Sequence, residues 1–180
     1  EKEGRWGYAD SKGRVVIKPQ YSAAGAFSEE GMAAVVDGTG WAFINRKGAV
    51  LVRPFVFDNG PDYFSEGLAR YTDNGRFGFF NERGRISIRA QYDFVLPFHE
   101  GLAAACIGCR FKRDGEHSSA VNGKWGFIDR RGRWVIKPAY ESAGSFKSGK
   151  APVTIKDRSQ HIDRQGSFVP DAGQDPASGY

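Results

Sequence analysis

The chain has 180 residues, enough to bury a core without staples either as one domain or as a short repeat array. Its 24 glycines and its aromatic share of 14% describe short strands and tight turns, an all-β chain rather than a helical one. The formal net charge of +5 comes from 26 Lys and Arg interspersed with 21 Asp and Glu, so nucleic acid is permitted without being demanded, and no window reaches the ~18 apolar residues of a membrane span.

The chain opens at Glu1 with neither an initiator Met nor a charged-then-apolar leader, which reads as a protein that has lost an N-terminal segment. The first element is a hairpin. Trp6-Gly7-Tyr8 places two rings on one face of a strand, with a small residue between them that lets a neighbour approach the other face. Asp10-Ser11-Lys12-Gly13 then supplies turn chemistry: a carboxylate that can accept from the backbone two residues on, and a glycine at the left-handed position of a type I turn plus bulge. The β-branched run Val15-Val16-Ile17-Lys18 follows as a second strand, expected to stop at Pro19, which has no N–H for a ladder. Tyr21 comes two residues later, and Phe27-Ser28-Glu29-Glu30-Gly31 leads into a small-residue strand from Met32 to Val36.

The same order of elements returns along the chain. The turn recurs as Asn45 to Gly48, Asn81 to Gly84, Asp129 to Gly132 and Asp163 to Gly166, with glycine intervals of 35, 36, 48 and 34. One insertion of about 12 residues between the third and fourth copies restores the period. Aromatic pairs precede the turns at Trp41-Ala42-Phe43, Phe77-Gly78-Phe79 and Trp125-Gly126-Phe127, whereas Ser159-Gln160-His161 has lost the pattern, as a terminal unit can. The expected organisation is a single repeat domain over residues 1–169, with units at about 4–38, 39–73, 74–109 and 122–156, a partial unit at 157–169 and an insertion at 110–121. Residues 170–180, rich in Pro, Gly, Asp and Ser, read as a disordered tail. Three-stranded hairpin units of this kind must bury an apolar face on their neighbours, giving an open β-solenoid-like array or a closed propeller-like ring. The first unit is whole and the last is partial, so the ends are not complementary halves and the open array is expected.

These residues resemble the WG repeat family, also called KWG repeats; the nearest match to its pattern is Gly123-Lys124-Trp125-Gly126-Phe127-Ile128-Asp129 and onward to Tyr140. The departures are Ala42 for Gly, Ala90 for Pro, Val56 for Tyr, the insertion and the degraded fifth copy. The resemblance implies an interaction module of bacterial, commonly exported or surface-associated proteins, and it carries over no catalytic residues.

Repetition explains most polar residues by structure. Asp10, Asp129 and Asp163 belong to turns, and Glu66 and Glu100 stand beside the glycine of the closing step, so no acid–base pair is assigned. Non-repeated residues are therefore the candidate site. Cys106 and Cys109, the only cysteines, are a candidate disulfide if Gly108 turns the chain between them; buried or incidental thiols remain the simpler reading. His99, Cys106, Cys109 and His117 also have zinc-ligand chemistry, but their spacing fits no recognised module, so no metal and no cofactor is assigned. Arg110, Phe111, Lys112 and Arg113 form a basic-aromatic cluster in the insertion, and Tyr8, Tyr21, Tyr92 and Tyr140 are read as a half-exposed row available to a ligand. The expected function is a non-enzymatic scaffold contacting a protein partner. The alternatives are a cell-envelope glycan binder and an auxiliary domain of an enzyme whose catalytic part lies outside this chain.

Overall fold

The structure, a computed structural model, describes residues 4–114 and 117–170. Among these residues there is no helix, and every strand pairs antiparallel. In chain order, β1 (Trp6–Ala9) and β2 (Val15–Tyr21) form a two-stranded sheet. The next four, β3 (Ala23–Ala24), β4 (Met32–Asp37), β5 (Gly40–Asn45) and β6 (Val50–Val52), form one sheet in that order. A small hairpin follows, β7 (Val56–Phe57) and β8 (Gly60–Pro61), and then the sheet of β9 (Leu68–Asp73), β10 (Arg76–Asn81) and β11 (Ile86–Tyr92). Next, β12 (Phe94–Val95) and β13 (Ala103–Ile107) are interrupted by a separate ribbon, β14 (Arg110–Asp114) and β15 (His117–Val121). The chain then returns with β16 (Lys124–Ile128) and β17 (Trp134–Tyr140) to complete the sheet β12-β13-β16-β17. The last sheet is β18 (Ser142–Ala143), β19 (Ala151–Ile155), β20 (Arg158–Ile162) and β21 (Phe168–Val169).

Among the described residues no sheet closes on itself, and the repeats form an open β array within each of two compact units, Glu1–Ala90 and Gln91–Tyr180. A sheet does not coincide with a sequence unit. It takes the closing strand of one unit and adds the two hairpin strands of the next, as when β4 of the first unit pairs with β5 of the second. The residues called a disordered tail lie outside the described residues, Pro170 excepted.

All five turns fold as their sequence requires. The side-chain oxygen of Asp10 accepts from the amides of Lys12 and Arg14, and the same pair of bonds forms at Asn45, Asn81, Asp129 and Asp163. The turn glycines have φ between 70° and 85°. Bonding to Arg14 holds the Asp10 carboxyl below its ordinary range. At Asp129 partial burial acts upward, and the amide and guanidinium of Arg133 outweigh it, so the net displacement is also downward.

The small residue between the paired rings has a backbone reason. A Cβ on Gly7 or Gly126 would run into the main chain at Ile17–Pro19 or Ile136–Pro138, where β2 and β17 bulge against the partner strand. This corrects the expectation that Pro19 stops the second strand. Strand β2 runs through Pro19 to Tyr21, and β17 through Pro138 to Tyr140, because each proline sits in a bulge on an outer strand where no ladder N–H is missed. Ala90 stands at the same place in β11 and does have an N–H, which donates to the buried Tyr71 hydroxyl at 3.0 Å. In the second unit Ala42 replaces the glycine, and the following strand β6 ends at Val52.

Apolar side chains bury between successive sheets. Met32, Phe43, Val52, Ala69, Tyr71 and Phe80 form one such layer, with the Phe43 and Phe80 rings 5.6 Å apart. Of the repeat aromatics, Phe79 and Phe127 are fully buried core residues.

Candidate functional site

Two places break the period, and both carry the chain's unusual chemistry. The first is the ribbon β14–β15 in the insertion. Its strands pair from Arg110 opposite Val121 to Asp114 opposite His117, and no other strand joins them. Strand alternation puts Arg110 and Lys112 on one face, and both are exposed. The side chains of Phe111 and Arg113 lie outside the described residues, as does that of His117.

The ribbon's neck is built from Ile107 to Cys109 on one side and Asn122 to Gly123 on the other. Cys106 is fully buried opposite Trp125 in the sheet, and Cys109 is buried at the ribbon's root. Gly108 turns the chain between them at φ 71°, its amide donating to the Asp93 carboxylate, and the two sulfurs meet as a disulfide across Cα atoms 6.0 Å apart. Gly123, also at φ 71°, crosses this root so closely that a Cβ would lie 2.5 Å from the Cys109 nitrogen and 2.6 Å from the Ile107 oxygen. The neck is therefore pinned by backbone fit and by sulfur together. Of the four residues with metal-ligand chemistry, His99 is exposed in the closing step of its unit, and no group of three such side chains gathers among the described residues.

The tyrosines do not form a half-exposed row. Tyr21, Tyr92 and Tyr140 are buried and Tyr8 is half-buried. Tyr21, Tyr92 and Tyr140 each stand four residues after a buried isoleucine, Ile17, Ile88 or Ile136, so strand alternation puts them on the same inward face. Tyr92 then donates its hydroxyl to the Gly132 carbonyl at 2.6 Å, and Tyr8 donates to the Gly25 carbonyl at 2.9 Å. Burial, the main cause, and nearby Asp129 push the Tyr92 phenol above its ordinary value.

The second break was not singled out from the sequence. The hairpin β7–β8 turns through Asp58 and Asn59, with φ of 48° and 63°, the pattern of a two-residue type I′ turn. Its root holds the buried ion pair of Asp62 and Arg70. One carboxylate oxygen accepts from the Arg70 amide at 3.0 Å and Nε at 2.8 Å, and the other accepts from Nη2 at 2.8 Å. The guanidinium carbon lies 4.9 Å from the Phe55 ring centre and 5.7 Å from that of Phe57. Beside it Phe57 and Tyr63 are exposed, edge to face at 6.3 Å. The sequence did carry a signal. Asn59-Gly60 is a hairpin dipeptide, and the stretch from Pro54 to Phe64 is two residues longer than from Pro19 to Phe27.

Fold and site together define a β-repeat protein, built from hairpin units that share sheets across unit boundaries. The WG containing repeat family matches residues 6–38, 41–76, 77–108 and 125–158, most of the chain, and the chain belongs to that family. The ribbon falls between the third and fourth matched stretches. No curated protein matches the chain.

Proposed function

We propose that this chain is a non-enzymatic binding or scaffold module that engages a protein partner through its repeat surface. The observation that carries this reading is an apolar residue left in water at one place in four of the five units. The position two residues after the turn glycine holds Val15, Val50, Ile86 and Phe168, which are between 45% and 63% exposed, and in the remaining unit the half-buried Trp134. Solubility alone favours polar residues at such strand positions, so repeated apolar exposure fits a contact surface. Several of the described acidic groups have structural partners: Asp62 holds Arg70, Glu100 accepts from the Gly149 amide, and Glu141 accepts from the amides of Lys156 and Asp157. This supports a module without acid–base chemistry of its own. A disulfide at the neck suits an oxidising compartment, in keeping with an exported bacterial protein.

Proximity labelling with the unaltered chain and with a variant carrying Thr at Val15, Val50, Ile86 and Phe168 tests the reading. A reproducible partner set that disappears in the folded variant supports it; an unchanged set overturns the role of these positions. The exposed Phe57–Tyr63 pair beside Arg70 favours a second reading, an envelope-glycan binder, because rings with one free face stack on sugars. Cosedimentation with purified peptidoglycan that depends on Phe57 and Tyr63 would favour it over the first.

A further inference from the structure

The second residue of the recurring turn is Arg46 in one copy, Glu82 in the next and Arg130 in the copy after the insertion. Where it is one of these arginines, the side chain folds back on the closing step beside it. Arg46 lies over the Phe27 ring, its guanidinium carbon 5.3 Å from the ring centre and its Nε beside Gly31, and Arg130 lies over Phe98 at 6.0 Å. In the last copy Arg164 lies against Gly101. Glu82 takes the place of these arginines beside the Phe64–Gly67 step. Its carboxylate lies near Gly67, and among the described residues no cation stands over the Phe64 ring.

A second departure falls at the same spot. Glu66, Glu100 and Ser148 stand directly before the closing glycine at φ 52°, and Glu100 accepts from the Gly149 amide of the next unit at 2.9 Å. Glu30 stands directly before Gly31, but its closing step is one residue longer and it does not take that conformation. Among the described residues, the Glu30 and Glu82 carboxylates make no hydrogen bond or ion pair. Both line a cavity of about 300 Å³ whose wall includes Met32, Ala34, Phe43 and Phe64. The Phe43 and Phe64 rings are 6.2 Å apart, and Phe64 is half-buried.

We propose that this cavity is a binding site for an arginine side chain of a partner polypeptide. The chain's own arginines define the chemistry, since at Phe27 and Phe98 a guanidinium already covers the ring of the closing step. At Phe64 the internal cation is replaced by an acid. A guanidinium entering from outside lies on the free face of Phe64, which attracts a cation through the ring quadrupole. Its N–H groups donate to the Glu30 and Glu82 carboxylates, which have no competing partner. Its aliphatic stem runs along Met32, Ala34 and Phe43. Charge selects in the same direction, because two carboxylates at an apolar wall repel an acidic residue. A planar fork of donors suits a ring and two carboxylates together, whereas the compact ammonium of lysine is more strongly hydrated and gains less there. The proposal deepens the protein-partner reading and rests on it for the source of the arginine, while the site itself uses none of Val15, Val50, Ile86 or Phe168.

Met32 is the chain's only methionine, so the NMR signal of its labelled methyl group reports on the cavity wall without ambiguity. The probe is N-acetyl-arginine methylamide added to the intact chain, with the citrulline and lysine counterparts as controls; citrulline keeps the shape and loses the charge. The expected result is a saturable shift of the Met32 methyl with arginine, of millimolar affinity because a single side chain is bound, and no saturation with citrulline. Lysine should bind at least about threefold more weakly. Glu30→Gln and Glu82→Gln should each weaken arginine binding about two- to fivefold. Glu82→Arg supplies the cation from within, as at Phe27 and Phe98, and should abolish binding in a folded chain, because arginine already stands at this turn position in other copies. Absence of a saturable shift, an equal response to citrulline or lysine, or binding that survives Glu82→Arg would overturn the proposal. An unchanged partner set in the Thr variant with arginine binding intact counts against the apolar row alone. A partner set lost in that variant with no arginine binding counts against this site alone.

Discussion

The two breaks in the repeat hold themselves in place by opposite means. The hairpin β7–β8 adds two residues to its unit and is tied down by charge in a dry setting: Asp62 and Arg70 are 3% and 4% exposed and sit against Phe55. The ribbon β14–β15 adds about 12 residues and is tied, among the described residues, at its root, by Gly123 crossing Cys109 and by the Cys106–Cys109 bridge. The first insertion is thus part of a core and the second is an appendage. Damage to the first should spread to the fold, and damage to the second should stay local.

The largest effect expected from this contrast is Arg70→Ala. It leaves a buried Asp62 carboxylate without its guanidinium, and urea unfolding should register a loss of about 3–5 kcal/mol. A loss below about 1 kcal/mol would mean that the pair is solvated and the contrast wrong. Next comes Gly123→Val, which puts a β-branched side chain into the backbone of the ribbon's root at positive φ; about 2–3 kcal/mol is expected. Amide exchange should show faster opening of β14–β15 and little change at β9–β10. Reducing the disulfide should cost less, because the loop it closes is short: about 2 kcal/mol at most, again confined to the ribbon and Cys106's neighbours. If reduction unfolds the whole chain, the ribbon is no appendage. Asn59→Val strains only the exposed tip of the first hairpin and should cost about 1 kcal/mol while leaving the Asp62–Arg70 pair intact.

The smallest expected effect is on pH, and the turns provide their own control. Asp10 and Asp129 have lowered pKa values in the fold, so their turn bonds add stability above the unfolded carboxylate value of about 3.9 and lose it as pH falls through the folded one. Asn45 and Asn81 make the same bonds and do not titrate. Between pH 5 and pH 2 the amides of Gly13 and Gly132 should lose protection before those of Gly48 and Gly84. Equal loss at all four would remove the carboxylate from the argument. On the alkaline side the sign is reversed in pH. Burial raises the Tyr21, Tyr92 and Tyr140 phenols, so their contribution is whole below about pH 10 and falls as pH rises beyond it.

Of the site, the ribbon was legible because it interrupts a period, and the residues that fill the gap stand out against it. The hairpin β7–β8 was overlooked because an insertion of two residues barely disturbs the 36-residue glycine interval between Gly48 and Gly84. The tyrosines were misplaced for a different reason. Proline was expected to end the strand before them; because the strand runs on through it, Tyr21 and Tyr140 share the buried face of Ile17 and Ile136.

What the sequence determined by itself is local: five turns whose Asp or Asn bonds reach two and four residues along the chain, the glycines that close them, and the alternation that buries Phe79 and Phe127. Each of these depends on neighbours within one hairpin. The tertiary structure alone decided how the hairpins are joined, since pairing the closing strand of one unit with the aromatic strand of the next is a contact that no single unit's pattern encodes.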